Sequence, residues 1–360
     1  GAPEGNPADA HAVTPPPTGG VSRVDRELKL AAPYAPVQAP DEYRCFLLDP
    51  GLRAPTFVTG AEVLPGASGS VHHAILFRVA PDQVADAERA DARDPGRGWT
   101  CFGGTGLPDR GGAGATNALD SAPWLAAWAP GSGENLFPAG TGVRLAAGSR
   151  IVLQVHYNLR AGNGPDDTGV RLRLASGAAR LKPLQTMLLV APVELPCTPS
   201  EAGPLCDRGT AVLDLVRRFG AQAGRTVAGL QLLCGGNLLA PVAGPTQHCD
   251  RRVGERLVVR AVAGHMHLLG RSITIELDPG TPRARTLLDR KVWNFDDQRA
   301  TPLAQPVIVH PGDDLRVTCT HDARLRSLLP ELKREPPRYV TWGEGTSDEM
   351  CLGIVVYTRS

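Results

Sequence analysis

Residues 150–159 read RIVLQVHYNL, a run rich in Val, Ile, Leu and Tyr that ends in the Asn of a turn signal. Such runs favour a half-buried pleated strand over a helix. Working outward, EYRCFLLD (42–49), SVHHAILFRV (70–79) and VRLRLA (170–175) have the same character, separated by Gly, Pro and Asp. The pattern continues through LQTMLLVAPVELP (184–196), RLVVRAVAGHMHLLG (256–270), SITIELD (272–278), QPVIVHPGDDLRVTCT (305–320) and MCLGIVVYTRS (350–360). With 41 Gly and 33 Pro the chain favours short strands and turns over long helices. Two exceptions stand out. PDQVADAERADARD (81–94) fits a short helix or a charged loop, and AVLDLVRRFG (211–220) has helical spacing, with Val212, Leu215 and Phe219 on one side. The predicted class is all-β, with two jelly-roll-like antiparallel β-sandwiches in tandem. A chain of 360 residues exceeds one ordinary core. The expected division is a Pro/Gly-rich tail over 1–27, a first domain over 28–183 and a second over 184–360.

Composition narrows the function classes. Basic residues number 38 and acidic residues 37, a net charge of +1, so nothing points to nucleic acid or an anionic membrane. No apolar run reaches the ~18 residues that span a bilayer. The opening GAPEGNPADAHAVTPPPTGG reads as a linker in which His11 is idle. Eight scattered cysteines (Cys45, Cys101, Cys197, Cys206, Cys234, Cys249, Cys319 and Cys351) favour disulfides over a zinc site. Eight buried thiols are the alternative. Disulfides place the protein in an exported location, periplasmic, cell-surface or extracellular.

The histidines carry the chemistry. In GHMHLLG, His265 and His267 are two apart, and on a strand i and i+2 share a face. Both rings could reach one metal, although such a pair is also ordinary polar surface. In VHHAILF, His72 and His73 would point to opposite faces of a regular strand and share a metal only at a strand end, bulge or turn. His156 sits among apolar residues, where a hydrogen-bonded core histidine is the simpler reading. Met350, in SDEMCLGIVVY, shares its strand face with Leu352, Ile354 and Val356, and in isolation reads as core. Three histidines suit zinc or copper, whereas two histidines with a thioether favour a copper that cycles between Cu(I) and Cu(II). Blue-copper sites also need a cysteine thiolate, and the cysteines here are better used in disulfides.

Taken together, VHHAILF, WAPG followed by FPAGTGVRL, LQVHYN, GHMHLLGRS and DEMCLG resemble, in order and over roughly residues 40–360, the copper type II ascorbate-dependent monooxygenases. These include the peptidylglycine α-hydroxylating and dopamine β-monooxygenases. The resemblance implies two coppers per chain, on either side of a solvent-filled cleft between two β-sandwich domains. His72, His73 and His156 would hold the electron-storing copper, and His265, His267 and Met350 the oxygen-activating one. Gln154 is expected to support the first set from behind. O2 and a one-electron reductant such as ascorbate would serve hydroxylation of a C–H bond. Cys45–Cys101 and Cys319–Cys351 match family disulfides. For Cys197, Cys206, Cys234 and Cys249, local pairing as 197–206 and 234–249 is the simplest of three options.

Two departures qualify the resemblance. Where amidating members clamp a peptide carboxylate with arginine, asparagine and tyrosine, this chain has Ala263, Leu352 and Ile354. A peptide ending in a free carboxylate is therefore not the expected substrate; a small or apolar organic molecule is. The stretch 196–256 is also longer than the resemblance calls for, and is read as a disulfide-containing insertion that either caps the cleft or decorates the surface. Of the remaining histidines, His310 is expected at a turn, His248 in a loop, and His321 in a structural place near Cys319. A copper-binding or electron-transfer protein without oxygenase activity is the competing class, and its oligomeric state is open. A pair of structural domains with chance histidines is the third reading.

Overall fold

A computed structural model of the chain describes residues 23–359, apart from 68, 95, 109–121, 130, 131, 161 and 163. His11 and most of the expected tail lie outside these residues. Strand pairing starts before residue 28, because Arg26–Lys29 pairs as an edge strand with Gly169–Val170–Arg171–Leu172.

The first half contains β1 (Arg26–Lys29), β2 (Asp41–Leu48), β3 (Thr56–Leu64), β4 (Val71–Val79), β5 (Trp99–Thr100), β6 (Trp124–Trp128), β7 (Asn135–Leu136), β8 (Thr141–Leu145), β9 (Arg150–Asn158) and β10 (Gly169–Ser176). The charged stretch after β4 forms helix α1 (Val84–Arg93). Five strands form one sheet in the order β5-β2-β9-β4-β6. The others join a nine-stranded sheet that continues into the second half through β11 (Lys182–Val190). β11 pairs parallel to β8, with Lys182 beside Thr141.

Alternation along β9 decides its two faces. Ile151, Leu153, Val155 and Tyr157 enter a core shared with Val58, Ala61 and Val63 of β3 and with Val170 and Leu172 of β10. Val152 belongs instead to a separate cluster with Cys45, Phe77 and Trp99, so the even-numbered face of β9 is covered too. That explains why the strand is buried without interruption from Ile151 to Tyr157. His156 lies on this second, outer face.

The second half adds β12 (Glu194–Leu195), β13 (Thr246–Arg252), β14 (Leu257–His265), β15 (Gly270–Leu277), β16 (Arg285–Arg290), β17 (Thr301–Val309), β18 (Asp314–His321), β19 (Val340–Thr341) and β20 (Leu352–Arg359). The sheet β13-β18-β15-β16 packs on the β11-β20-β14-β17 part of the nine-stranded sheet through Ile273, Ile275, Val317, Val259, Val262 and Val355. The two cores divide within β11: Leu184 joins the first, Met187 and Leu189 the second. His310 falls at the turn between β17 and β18, where its backbone N–H donates to Asp313 Oδ2 at 2.7 Å.

Between β12 and β13 the chain forms a helical hairpin, α2 (Arg208–Phe219) and α3 (Ala221–Leu233). Asp207 caps α2 by accepting from the Thr210 N–H at 2.8 Å. Gly220, at φ +82°, makes the break that L side chains disfavour. Ala223, Val227 and Leu230 of α3 pack at helical spacing into the second core. Disulfides Cys197–Cys206 and Cys234–Cys249 staple this segment. Cys45–Cys101 ties β2 to the chain just past β5, and Cys319–Cys351 ties β18 to the start of β20. No cysteine is free. Among the described residues no helix is long and apolar enough to cross a membrane.

Candidate metal centre

The first histidine set is assembled by a bulge. The β4–β9 ladder pairs Val71 with Tyr157 and His73 with His156, so its register shifts and His72 is the extra residue. The bulge turns two neighbouring histidines to one side, which a regular strand forbids. The three Nδ1 atoms face one another: His72–His73 3.3 Å, His72–His156 3.0 Å, His73–His156 3.4 Å. The centre of such a triangle lies about 1.9 Å from each corner, close to the ~2.0 Å of metal–imidazole bonds.

Protonation favours the same reading. Asp41 Oδ1 lies 3.0 Å from His156 Nε2 and 2.6 Å from the Thr346 hydroxyl. Burial raises the Asp41 carboxyl, but the hydrogen bond and charge of His156 and the Thr346 hydroxyl outweigh it and hold it well below the usual range. An ionised Asp41 only accepts, so His156 donates from Nε2 and leaves its Nδ1 lone pair facing the other rings. Burial, then neighbouring imidazoles, holds His72 and His73 well below the ordinary histidine value. His156 is lowered as well, with burial outweighing Asp41. One shared cation would satisfy all three converging Nδ1 atoms at once. Tyr43 stacks on the His156 ring, centroids 4.1 Å apart, and donates to the Glu344 carbonyl at 2.5 Å.

The second set is built differently. β14 ends at His265, so His267 lies beyond the strand and its place is set by other contacts. The His267 N–H donates to Glu349 Oε2 at 2.9 Å, and the Leu269 N–H to Glu349 Oε1 at 2.6 Å. His267 Nδ1 lies 3.0 Å from the Asp348 carbonyl, an acceptor, so Nδ1 carries the proton. Its Nε2 is then a buried acceptor with no hydrogen-bond partner. That orphaned lone pair is what a metal would satisfy. His265 follows the same logic. Gln298 donates its amide to the Phe295 carbonyl at 2.9 Å, which turns Oε1 toward His265 Nδ1 at 2.6 Å. His265 therefore also keeps a free Nε2 lone pair. Burial, then the neighbouring His267, pushes its pKa down to about 3. The rings of His265 and His267 are 5.2 Å apart. Met350 is buried just before β20, and His321 Nε2 reaches its carbonyl at 3.2 Å and Glu349 Oε2 at 3.3 Å.

The two sets are not held apart across an open cleft. The rings of His72 and His267 are 6.2 Å apart, and those of His73 and His265 5.9 Å. The segment Gly343–Met350 draws them together: Thr346 bonds Asp41, Glu344 accepts from the Gly103 N–H at 2.9 Å, and Glu349 holds His267. Gln154, expected behind the first set, instead donates to the Gly104 carbonyl at 2.8 Å, because it stands two residues along β9 from His156 and faces the loop after Cys101. The residues that do brace the imidazoles are Asp41 and Gln298, 115 and 33 positions away from their partners.

A cavity of about 910 Å³ opens beside both sets. Its walls are the outer faces of β4 and β6 (Ile75, Phe77, Trp124, Trp128), β11 and β20 (Leu188, Leu352, Ile354), and α3. His73, His265 and Met350 line it. The helical hairpin thus forms one wall.

Residues 246–360 match the family model described as copper type II ascorbate-dependent monooxygenase, C-terminal domain. The matched segment contains His265, His267 and Met350; the first histidine set and the helical hairpin lie before it. Among solved structures, the chain is similar to an allantoicase (11% identity, 92% of this chain and 84% of that one, TM-score 0.20) and to the coconut allergen cocosin (12%, 89% and 78%, 0.15). A Paenibacillus xanthan lyase is also similar (10%, 99% and 28%, 0.19). At these TM-scores the likenesses bear on neither fold nor function.

Proposed function

We propose that the chain is an exported copper-dependent monooxygenase that hydroxylates a C–H bond of a small or apolar organic molecule, using O2 and a one-electron reductant such as ascorbate. The observation that carries the reading is the gathering of two histidine sets beside one largely apolar cavity that His73, His265 and Met350 line, the second set lying in the segment that matches the monooxygenase family. His72, His73 and His156 would hold one copper through Nδ1. His265 and His267, through Nε2, with the Met350 thioether, would hold the other. A thioether suits Cu(I) and is a poor zinc ligand, so the second donor set selects copper. When bound, the two coppers supply oxygen activation and the electrons that hydroxylation needs.

The chain's own residues supply the rest. Asp41, Gln298 and the Asp348 carbonyl fix the tautomers that free the ligand lone pairs. Glu349, braced by His321, positions the His267 loop and the strand carrying Met350. Trp124, Trp128, Leu352 and Ile354 exclude water from the cavity and bind apolar surface. Its volume lies within the roughly 300–1,000 Å³ of small-molecule sites. Leu352 and Ile354 offer a carboxylate no hydrogen bond, which argues against peptide amidation. We read each half as a β-sandwich domain around its own core, and the four disulfides fit an oxidising compartment.

The test is ascorbate-driven oxygen uptake by the copper-loaded protein across a panel of apolar compounds, with product analysis. Hydroxylated product in proportion to oxygen consumed is the expected result. Copper binding and reduction without product from any compound would favour an electron-transfer role.

A further inference from the structure

The cavity is mostly apolar; besides polar groups such as Gln154, Gln298 and Glu344 on its other walls, α3 supplies a polarity gradient along one side. Gln222, Arg225 and Thr226 face the cavity from the start of the helix, and Leu230, Leu232 and Leu233 from its end. At ~1.5 Å rise per residue the gradient spans about 16 Å. Among the described residues Arg225 is the one lysine or arginine that lines the cavity, and it is exposed. Its guanidinium bonds only a neutral amide, Gln222 Oε1, at 3.1 and 2.9 Å. Two other arginines of the hairpin are neutralised: Arg208 by Glu194 at 2.6 Å, Arg218 by Asp348 at 2.6 Å. No described carboxylate pairs with Arg225 in this way.

We infer that the cavity takes an amphiphilic organic acid, its apolar body among Trp124, Trp128 and the leucines and its anionic end on Arg225. The inference rests on the proposed monooxygenase reading for what happens to the bound molecule, but not for its binding. An anion placed here costs little desolvation, because Arg225 is itself exposed. The same anion beside Leu352 and Ile354 would be buried without a partner. The charge-binding function is thus carried by a helix outside the segment that matches the monooxygenase family. Glu344 also lines the cavity, and burial pushes its carboxyl up to about 7, which weakens its opposition to an anion at neutral pH.

The test uses copper-loaded, oxidised protein without reductant, so that binding is read without turnover. 4-Phenylbutyrate and 4-phenylbutanamide are titrated while following the fluorescence of the cavity tryptophans, with calorimetry as a second readout. The carboxylate is expected to bind about tenfold more tightly than the amide. Arg225→Gln should abolish that preference and leave amide binding unchanged, and Arg225→Lys should keep part of it. Equal binding of the two probes to the wild type, a preference that survives Arg225→Gln, or no binding of either probe would overturn the inference. Arg225-dependent binding without hydroxylation under reducing conditions would sink the monooxygenase reading and leave this one standing. Hydroxylation of apolar acids and their neutral amides alike, unaffected by Arg225→Gln, would do the reverse.

Discussion

The two histidine sets reach the same chemical state by opposite routes. The first is self-contained: one bulge in one ladder turns His72, His73 and His156 together, their Nδ1 atoms converge within 3.4 Å, and one carboxylate fixes a tautomer. The second is assembled from a strand end, a loop and the start of another strand, and depends on Glu349, His321, Gln298 and the Cys319–Cys351 bridge for its placement. The first brings Nδ1 atoms together, and the second leaves Nε2 atoms free. A rigid set of three like ligands suits a metal that only exchanges electrons. A set with a weak thioether beside a cavity suits one that must also meet a substrate.

This contrast can be broken most severely at His156. His156→Ala should remove one of two copper equivalents and weaken that site by more than about 100-fold, beyond the 10–100-fold cost of losing a supporting partner. Metal analysis after dialysis against a chelator reads this directly, and retention of both coppers would contradict the assignment.

The hairpin wall comes next. Cys234 and Cys249 are 15 residues apart, and a loop of that size is worth about 3 kcal/mol when closed. Replacing both by serine should lower the thermal midpoint by several degrees. Copper loading at the first set should not change, since that set is built on β4 and β9.

A subtler asymmetry is predicted for the bracing residues. Asp41→Asn should weaken copper at the His72/His73/His156 set by about 10–100-fold, and Glu349→Gln should weaken only the other set. Competition titrations with a Cu(I) chelator distinguish the two. Equal effects on both sites would mean that the sets are not independent.

The smallest effect concerns Glu344, which links the two regions through Gly103. Its folded pKa, about 7, lies above its ordinary value of 4.5. Between those values the folded protein binds more protons than the unfolded chain, so this group's contribution to stability is lost as pH rises from 4.5 through 7. Glu344→Gln, which still accepts from the Gly103 N–H, should stabilise the protein relative to wild type above pH 7 and not below pH 4.5. Thermal melts across that range check it, and a difference independent of pH would contradict it.

Much of the fold was legible in local pattern. RIVLQVHYNL, SVHHAILFRV and SITIELD are strands, and the helix expected at 211–220 falls on α2 up to its break at Gly220. The demand that His72 and His73 share one side anticipated an irregularity, and the ladder supplies a bulge at that point. α3 escaped notice because Gly224, Gly229 and Thr226 are weak helix formers, and tertiary burial of Ala223, Val227 and Leu230 overrides them. Asp41, Thr346 and Gln298 were invisible as bracing residues, since a hydrogen bond across 305 positions leaves no mark in local sequence. The proximity of the two sets, where the resemblance implied a solvent-filled cleft between them, is likewise set by long-range contacts of the Gly343–Met350 segment.

The central claim, two copper sites with unlike donors, is tested most directly by X-ray absorption at the copper edge. The measurement compares wild type and Met350→Ala, each loaded anaerobically with Cu(I), alongside copper per chain. The account predicts two coppers in the wild type and a sulfur scatterer that disappears in the variant. One copper or none, or a spectrum with no sulfur contribution in either protein, would contradict it.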